Sequence, residues 1–401
     1  MAETRIHKVS LVTWVLVMST GLSLFLVSER SLWVIATGVA VFVGAEMVTL
    51  PAPSGQRIQL GVGVAAAVLV IFNGDWVSTG AVLGLGMAAT WFAMAMSVDP
   101  RSVVGTRFLA QSVAFSALVG AYTGVLHLST FGGDTDRLVA LISAGLVWYL
   151  ARAITKALIG LDRQDLSMRY LWLLSLEDWS VVVGLFATGG LFGFAQPVIS
   201  WWAIPVAGLP YAFFHLAFVR FSGTRKTYGQ TIRALSRIPE VGGLAPDGHS
   251  VRTADLSVAV AQEMGMHPDD VNRLEYAALM HDIGKVTLNE PAILKAGYTD
   301  DDLARWGSQI IGESPYLRPV ATIVERQHEP YRRPGADTDP DLPLASKIIK
   351  VASAYDQAVV DFRLGPLEAL ERLHQGAVYE FDPAVTASLR RVLVHRSIVA
   401  A

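Results

Sequence analysis

The sequence His281-Asp282-Ile283-Gly284-Lys285 brings an imidazole, a carboxylate and an ammonium group within five positions. Imidazole nitrogens and carboxylate oxygens are suitable ligands for iron, manganese or zinc. A lysine just after such a pair could contact a phosphate oxygen as a point charge. Metal-assisted chemistry on a phosphate is therefore one function that this stretch could support.

A histidine at the end of an apolar helical row is more often a hydrogen-bonded core residue than a ligand. Val271, Leu274, Ala278 and His281 recur at helical spacing after a helix start at Pro268. We therefore expect His281 to end an inward-facing stripe. Whether His281 is a core residue or a metal ligand depends on whether other potential ligands accompany it in the sequence.

The second half of the chain has helical patterns throughout and no alternating strand pattern. We predict an all-α fold for it. The predicted helices, besides the one that ends at His281, cover residues 256–264, 303–311, 317–326, 344–358, 366–375 and 383–394.

Charge divides the chain into two parts that meet near Arg220. Residues 1–220 contain 23 charged side chains and residues 221–401 contain 44. The first part holds long runs without any Asp, Glu, Lys or Arg, and a membrane span needs about 20 apolar residues. We predict a polytopic helical membrane domain at 1–220, a linker helix at 221–247 and a helical domain at 248–401.

Eight membrane spans are predicted, and a turn at Gln196-Pro197 is expected to separate the last two. With the N-terminus in the cytoplasm, Arg30 and Arg137 are the only Lys or Arg residues placed outside, as the positive-inside rule favours. Both termini are then cytoplasmic, and the protein is a multi-pass protein of the cell membrane. The predicted spans are 9–28, 32–50, 58–74, 76–97, 107–127, 138–158, 176–195 and 198–219.

Composition excludes some functions. The chain has no cysteine, so disulfides and thiolate metal sites are ruled out. Its net charge of −3 gives no sign of a nucleic-acid partner. Glycines such as those of Gly84-Leu85-Gly86 and Gly189-Gly190 favour close helix packing over a pore. The lipid bilayer is the partner that the first part predicts.

Further motifs surround the metal-ligand pair. Gly248-His249-Ser250-Val251-Arg252 lies upstream, and Gln327-His328-Glu329 lies downstream. With residues 277–286, they resemble the HD superfamily of metal-dependent phosphohydrolases, and within it the HD-GYP family. The resemblance extends to Pro291-Ala292-Ile293-Leu294, to the acidic Thr299-Asp300-Asp301-Asp302 and to the segment from Lys350 to Asp356, and it covers roughly 226–394.

The resemblance implies a helical bundle in which divalent metals bind an activated water and the scissile phosphate. Iron, manganese or zinc would serve, and metal-bound water can ionise near pH ~7. The substrate implied is cyclic di-GMP or another nucleotide phosphoester. Signalling modules of this kind often pair, so a homodimer is also predicted.

The residues carried over from the family include losses. His249, His281 and Asp282 are retained, whereas Ser353 stands in place of the family's fourth core ligand, an aspartate. Ser308 and Gln327 replace two histidines, and Ala245 replaces a glutamate that some members have. The Gly-Tyr-Pro segment is also missing, since Pro330-Tyr331-Arg332-Arg333-Pro334-Gly335 follows Glu329. One metal ion is therefore expected rather than two.

The resemblance and these losses give a list of predicted site residues. The metal ligands are His249, His281 and Asp282, with Asp356 and His328 as further ligands. Asp282 and Lys285 are the predicted catalytic residues, and Lys285, Arg252, Arg332 and Arg333 are predicted to bind substrate.

Three functions stay open from the sequence. The first is a membrane-anchored phosphodiesterase. The second is a degenerate HD domain that binds a nucleotide or a protein for signalling without hydrolysis. The third, which the sequence favours least, is a transporter with a regulatory HD domain.

Overall fold

The computed structural model describes residues 2–51, 57–97, 101–160, 167–290 and 297–399. The chain is about 78% helical, which confirms the all-α prediction. The described helices are α1 (Ala2–Val27), α2 (Leu32–Met47), α3 (Gly61–Ile71), α4 (Trp76–Ser97), α5 (Arg101–Leu128), α6 (Asp134–Gly160), α7 (Met168–Leu176), α8 (Trp179–Ile199), α9 (Ala203–Leu235), α10 (Ile238–Val241), α11 (His249–Glu263), α12 (Pro268–Met280), α13 (Asp300–Gly312), α14 (Arg318–Glu325), α15 (Leu344–Val360), α16 (Pro366–Gln375) and α17 (Pro383–His395).

The chain divides into two compact units. The first comprises Met1–Gly160 and Leu174–Gly223, and the second comprises Leu161–Leu173 and Thr224–Ala401. Residues 221–235 belong to α9 and residues 238–241 form α10, within the segment predicted as a linker helix.

The first unit is rich in apolar helices. Among the described residues, five helices are long and apolar enough to cross a membrane, judged by length and composition, and three shorter apolar helices accompany them. This is consistent with a membrane protein, and the count of eight spans stays a prediction. The five are Trp76–Met94, Phe108–Leu128, Asp134–Thr155, Met168–Ile199 and Ala203–Arg220, and the shorter ones are Val12–Val27, Leu32–Met47 and Gly61–Ile71.

Glycines allow these helices to approach one another closely. A Cβ atom on Gly189 of α8 would lie 2.0 Å from the carbonyl oxygen of Gly63 in α3. A Cβ atom on Gly84 of α4 would lie 3.1 Å from Cα of Gly21 in α1. Small residues at helix interfaces let backbones pack tightly in a membrane. The prediction of close helix packing at Gly84 and Gly189 is thus confirmed.

The break between the last two apolar helices is not at Gln196-Pro197, as predicted. Helix α8 continues through Pro197 to Ile199. The chain then turns at Ser200, whose φ of 52° is incompatible with a continuing right-handed helix. A short 3₁₀ turn, Ser200–Trp202, leads into α9.

Two short strands in the first unit were not predicted. Strand β1 (Thr49–Pro51) pairs with β2 (Arg57–Gln59) in an antiparallel hairpin. Gln111 of α5 donates hydrogen bonds to Oε1 of Gln59 at 3.2 Å and to Oε2 of the buried Glu46 at 3.1 Å. The hairpin is too short to produce an alternating pattern that the sequence would reveal.

Helices α11, α12 and α15 pack against one another in the second unit. Helix α11 begins at His249, seven residues before the predicted start. Gly248, which precedes it, has a φ of 74° and so adopts the left-handed conformation that glycine tolerates best. This turn places His249 in the first turn of α11, where it is fully buried.

Helix α12 ends at Met280, and His281 is its C-cap. Asp282 follows, and a 3₁₀ helix covers Ile283–Asn289. Gly284 in this segment touches α13, because a Cβ atom there would lie 2.0 Å from the carbonyl oxygen of Leu303. Any side chain at position 284 would push the segment away from α13. The glycine therefore helps to fix where Asp282 and Lys285 lie.

Candidate metal centre

Three side chains from two helix ends converge in the second unit. His249, His281 and Asp282 are all buried, and each offers one ligand atom within 4.8 Å of the others. His281 is 3% exposed and ends the buried row of Val271, Leu274 and Ala278, as the helical spacing predicts. Buried groups of this polarity are costly to keep unless they are paired or hold a metal.

The separations between these atoms suit ligands of one metal ion. Nε2 of His249 lies 3.8 Å from Oδ2 of Asp282, and Nε2 of His281 lies 3.5 Å from Oδ1 of Asp282. Ligands bonded at about 2.1 Å and arranged tetrahedrally are about 3.4 Å apart. Oγ of Ser353 is 3.3 Å from Nε2 of His249 and 3.4 Å from Nε2 of His281. The serine hydroxyl thus lies beside both ligand nitrogens.

Hydrogen bonds fix the orientation of both imidazole rings. Nδ1 of His281 lies 2.8 Å from the carbonyl oxygen of Ala278, and Nδ1 of His249 lies 2.7 Å from Oδ2 of Asp356. A carbonyl and a carboxylate only accept, so each Nδ1 carries the proton and donates it. In the neutral ring, each Nε2 then presents a lone pair to the cluster, which is the tautomer that a metal requires. The residues present therefore fit a divalent metal.

The charge states of the cluster also suit a metal. Burial lowers the pKa of His281 to about 4, so its imidazole is neutral near pH 7. Burial disfavours the charged form of Asp282, but His281 and the ammonium group of Lys285 outweigh it, and the pKa of Asp282 is lowered. Metals bind neutral imidazole and ionised carboxylate.

Asp356, predicted as a further ligand, lies outside the cluster of His249, His281 and Asp282. It lies one helical turn after Ser353, as expected, but it contacts Nδ1 of His249, on the opposite edge of the ring from the ligand nitrogen. Burial disfavours its charge, but hydrogen bonds from His249 and Arg252 outweigh this effect and lower the pKa of Asp356. In this position the carboxylate can orient the ring of His249, and its role as a further metal ligand stays a prediction.

Arg252, which is predicted to bind substrate, contacts Asp356, and its role in substrate binding stays a prediction. Its Nε and Nη2 donate to the two oxygens of Asp356 at 2.7 and 3.0 Å. Its Nη1 donates to the carbonyl oxygen of Asp247 at 2.9 Å. Because all three nitrogens are engaged, Arg252 holds Asp356 in place.

A cavity of about 230 Å³ opens beside the cluster. Such a volume can admit part of a small molecule, such as a phosphate group with its ester oxygens. His281, Asp282 and Ser353 form one side of it. The other polar residues that line it are Lys285, Asp300, Gln327, His328, Lys350, Gln357 and Glu380.

Two of the predicted site residues line this cavity outside the three-residue cluster. Nζ of Lys285 donates to Oδ2 of Asp282 at 2.8 Å. His328 lies next to Gln327, with 3.3 Å between its Nε2 and Nε2 of Gln327. Burial lowers the pKa of His328, which favours its neutral form. A role for His328 as a further ligand stays a prediction.

Arg332 and Arg333 are not among the residues that line this cavity, and their role in substrate binding stays a prediction. The guanidinium group of Arg332 stacks on the ring of Tyr379, 5.3 Å from its centroid. Its backbone N–H donates to the carbonyl oxygen of Tyr379 at 2.9 Å. Arg333 is exposed in the turn that follows. Arg332 therefore packs against the loop that carries Tyr379.

Lys350, Gln357 and Glu380 line the cavity but were not predicted as part of a site, whereas Ser353 and Gln327 stand at positions where the resemblance places metal ligands. Lys350, Ser353 and Gln357 share one face of α15, which their helical spacing could have indicated. Nε2 of Gln327 donates to the carbonyl oxygen of His281 at 2.8 Å, and its Oε1 is buried with no partner among the described residues. Glu380 comes from a loop with no pattern signal. The predicted motif at residues 291–294 lies outside the described residues.

Known proteins share this arrangement of motifs. Residues 247–358 match the HD domain. The HD domain thus contains all three cluster residues together with Gln327, His328, Ser353 and Asp356. HD domains are metal-dependent, in agreement with the fit of the cluster to a metal. The second unit therefore carries an HD-type domain.

Two relatives of this domain have names that state an activity. The cyclic di-GMP phosphodiesterase response regulator RpfG of Xanthomonas campestris pv. campestris is 28% identical over 142 residues, which cover 32% of this chain and 37% of the relative. The cyclic di-GMP phosphodiesterase of Thermotoga maritima is 28% identical over 142 residues, which cover 32% and 39%. This chain thus spans less than two fifths of either relative. These matches support an HD-type phosphohydrolase.

Proposed function

We propose that this chain is a membrane-anchored, metal-dependent phosphodiesterase that opens a cyclic dinucleotide, with cyclic di-GMP as the first candidate. The observation that carries the proposal is the convergence of two imidazole lone pairs and the Asp282 carboxylate beside a cavity. The names of the two relatives favour this substrate class. The Gly-Tyr-Pro segment that gives the HD-GYP family its name is missing from this chain. Assignment to that family is therefore proposed on the remaining motifs.

Each residue has a role in this proposal. His249, His281 and Asp282 hold one divalent ion, iron, manganese or zinc, while Asp356 keeps His249 in the metal-binding tautomer. When bound, such an ion neutralises phosphate oxygens and lowers the pKa of a coordinated water. Lys285 lies 2.8 Å from Asp282 and can place its positive charge against a phosphate oxygen entering the cavity.

The test is a hydrolysis assay on the full-length chain in detergent micelles, with cyclic di-GMP as substrate and Mn²⁺, Fe²⁺ or Zn²⁺ supplied in turn. Metal-dependent release of a linear dinucleotide is expected, and Asp282→Ala should abolish it. Asp361→Ala is the matched control, because Asp361 is exposed at the end of α15. Equal rates for the parent and Asp282→Ala would place hydrolysis elsewhere.

Ser353 and Gln327 favour a second candidate, a module that binds a nucleotide without hydrolysing it. Both residues line the cavity with neutral groups where the related family carries metal ligands. Saturable binding of cyclic di-GMP without turnover under every metal would support this module. In either case, the apolar helices of the first unit would anchor the domain in the bilayer, with both termini cytoplasmic. A homodimer stays a prediction.

A further inference from the structure

An ion pair between Lys350 and Glu380 lies in the wall of the cavity. Nζ of Lys350 is 2.5 Å from Oε1 of Glu380, and both residues line the cavity that Asp282 and Ser353 also line. Neither residue belongs to the cluster of His249, His281 and Asp282. The ion pair therefore lies where it can contact a ligand in the proposed phosphate site.

The ammonium group of Lys350 is held in a position from which it can bind an anion. Lys350 belongs to α15, one helical turn before Ser353, and its side chain is 11% exposed. Its ammonium group donates to the carbonyl oxygens of His328 at 2.8 Å and of Glu329 at 3.0 Å. An ammonium group has three N–H donors, so one remains for an anionic partner. In this structure the partner is Glu380.

Of the three groups that Lys350 contacts, the Glu380 carboxylate is the one that an incoming anion could replace. The backbone of Glu380 is fixed, because its N–H donates to the carbonyl oxygen of Gly376 at 3.0 Å and its carbonyl accepts from Tyr331 at 3.3 Å. Its side chain, in contrast, is 52% exposed. A partly exposed carboxylate can turn into water at little cost, whereas the two carbonyls cannot leave Lys350 without moving the main chain.

The two lysines that line the cavity are thus both paired with carboxylates, Lys285 with Asp282 and Lys350 with Glu380. Asp282 is 7% exposed and is held within the metal-ligand cluster, so Lys285 keeps its partner. Glu380 has no such restraint on its side chain. The charge available to an incoming anion therefore depends on whether Glu380 stays or leaves.

We propose that Lys350 binds a phosphate oxygen of the ligand and that Glu380 is an internal competitor for the same ammonium group. Phosphate and the carboxylate compete for the same N–H of Lys350, because the carbonyl oxygens of His328 and Glu329 hold the other two. Glu380 must turn out of the cavity when phosphate binds. The pair then selects for ligands with enough negative charge to displace a carboxylate. The choice of phosphate as the ligand rests on the proposed function.

The experiment measures binding of inorganic phosphate to the full-length chain in detergent by isothermal titration calorimetry. A chelator removes any metal, so that the measured affinity reports phosphate binding by the lysines and not by a metal ion. Glu380→Gln should bind phosphate at least about fivefold more tightly than the parent, because the competing charge is gone. Glu371→Gln is the matched control, since it removes the same charge from an exposed position of α16 that does not line the cavity.

A second pair of variants assigns the effect to Lys350. Lys350→Gln should weaken phosphate binding and erase the gain from Glu380→Gln in the double variant, whereas Lys350→Arg should preserve that gain. Equal affinities for Glu380→Gln and Glu371→Gln would overturn the proposal. So would the same gain in the Lys350→Gln background. Because the readout needs neither metal nor turnover, a chain that fails to hydrolyse cyclic di-GMP could still show the competition.

Discussion

Nδ1 of His249 lies 2.7 Å from Oδ2 of Asp356, and Nε and Nη2 of Arg252 donate hydrogen bonds to the same carboxylate. The chain of contacts from Arg252 through Asp356 to His249 crosses from α11 to α15 and back. It leaves Nε2 of His249 aimed at Asp282. The orientation of the His249 ring is therefore set by Arg252 and Asp356, which lie outside the three-residue cluster.

Asp356→Asn tests this orienting role. The variant removes the negative charge that holds the protonated Nδ1 of His249, so metal affinity should fall by about 10- to 100-fold. Calorimetric titration of the metal-free, full-length chain with Mn²⁺ or Zn²⁺ measures the change. Asp361→Asn at the end of the same helix should bind as the parent does. Unchanged affinity in Asp356→Asn would mean that packing alone orients His249.

Ser353→Asp tests whether a carboxylate at position 353, beside the two histidines, acts as a metal ligand. A carboxylate within reach of both Nε2 atoms adds a charge and a ligand, so metal affinity should rise on the order of tenfold. Without metal, the new charge near Asp282 should lower the melting temperature of the domain. Ser353→Asn, which adds an oxygen without the charge, is the control. Matching affinities for the two variants would contradict the predicted ligand position.

Gly284→Ala tests how the loop after Asp282 is fixed. A Cβ atom there would lie 2.0 Å from the carbonyl oxygen of Leu303, so the variant should lose about 1–3 kcal/mol of stability and some metal affinity. Gly229→Ala, six residues before the end of α9, should instead gain stability, because alanine favours helix more than glycine does. Thermal unfolding with and without metal compares them. A Gly284→Ala variant as stable as the parent would show that the loop can shift freely.

Topology follows from the distribution of Lys and Arg. Reporter fusions at Arg101 and at the C-terminus should read cytoplasmic, and a fusion near Asp134 should read external. The reporters can be alkaline phosphatase, which is active outside, and green fluorescent protein, which is fluorescent inside. An external C-terminus would require an odd number of spans and would change the proposed count of eight.

The sequence predicted the helices of the second unit well, because amphipathic spacing and Pro or Gly at their ends mark them. It predicted His249, His281 and Asp282 from motifs that match a known family. It placed Asp356 on the correct face of α15 but could not tell which ring nitrogen of His249 it would meet. That distinction depends on how far apart α11 and α15 pack, which no spacing rule reports.

Other features depended on long-range contacts. The contact of Arg332 with the ring of Tyr379, in the loop 376–381, could not be read from the sequence. Lys350 was not predicted as a site residue because its carbonyl and carboxylate partners come from two other segments. In the first unit, the turn at Ser200 has no glycine or proline to mark it.

The most direct test of the central claim is the metal content of the purified full-length chain, measured by mass spectrometry after loading with a divalent metal and removal of the excess. About one ion per chain is expected, in keeping with a single cluster of two histidines and one carboxylate. His281→Ala should lose this ion, whereas His374→Ala, at an exposed position of α16, should keep it. Two ions per chain would contradict the single-ion site, and equal metal content in the parent and His281→Ala would contradict the metal centre itself.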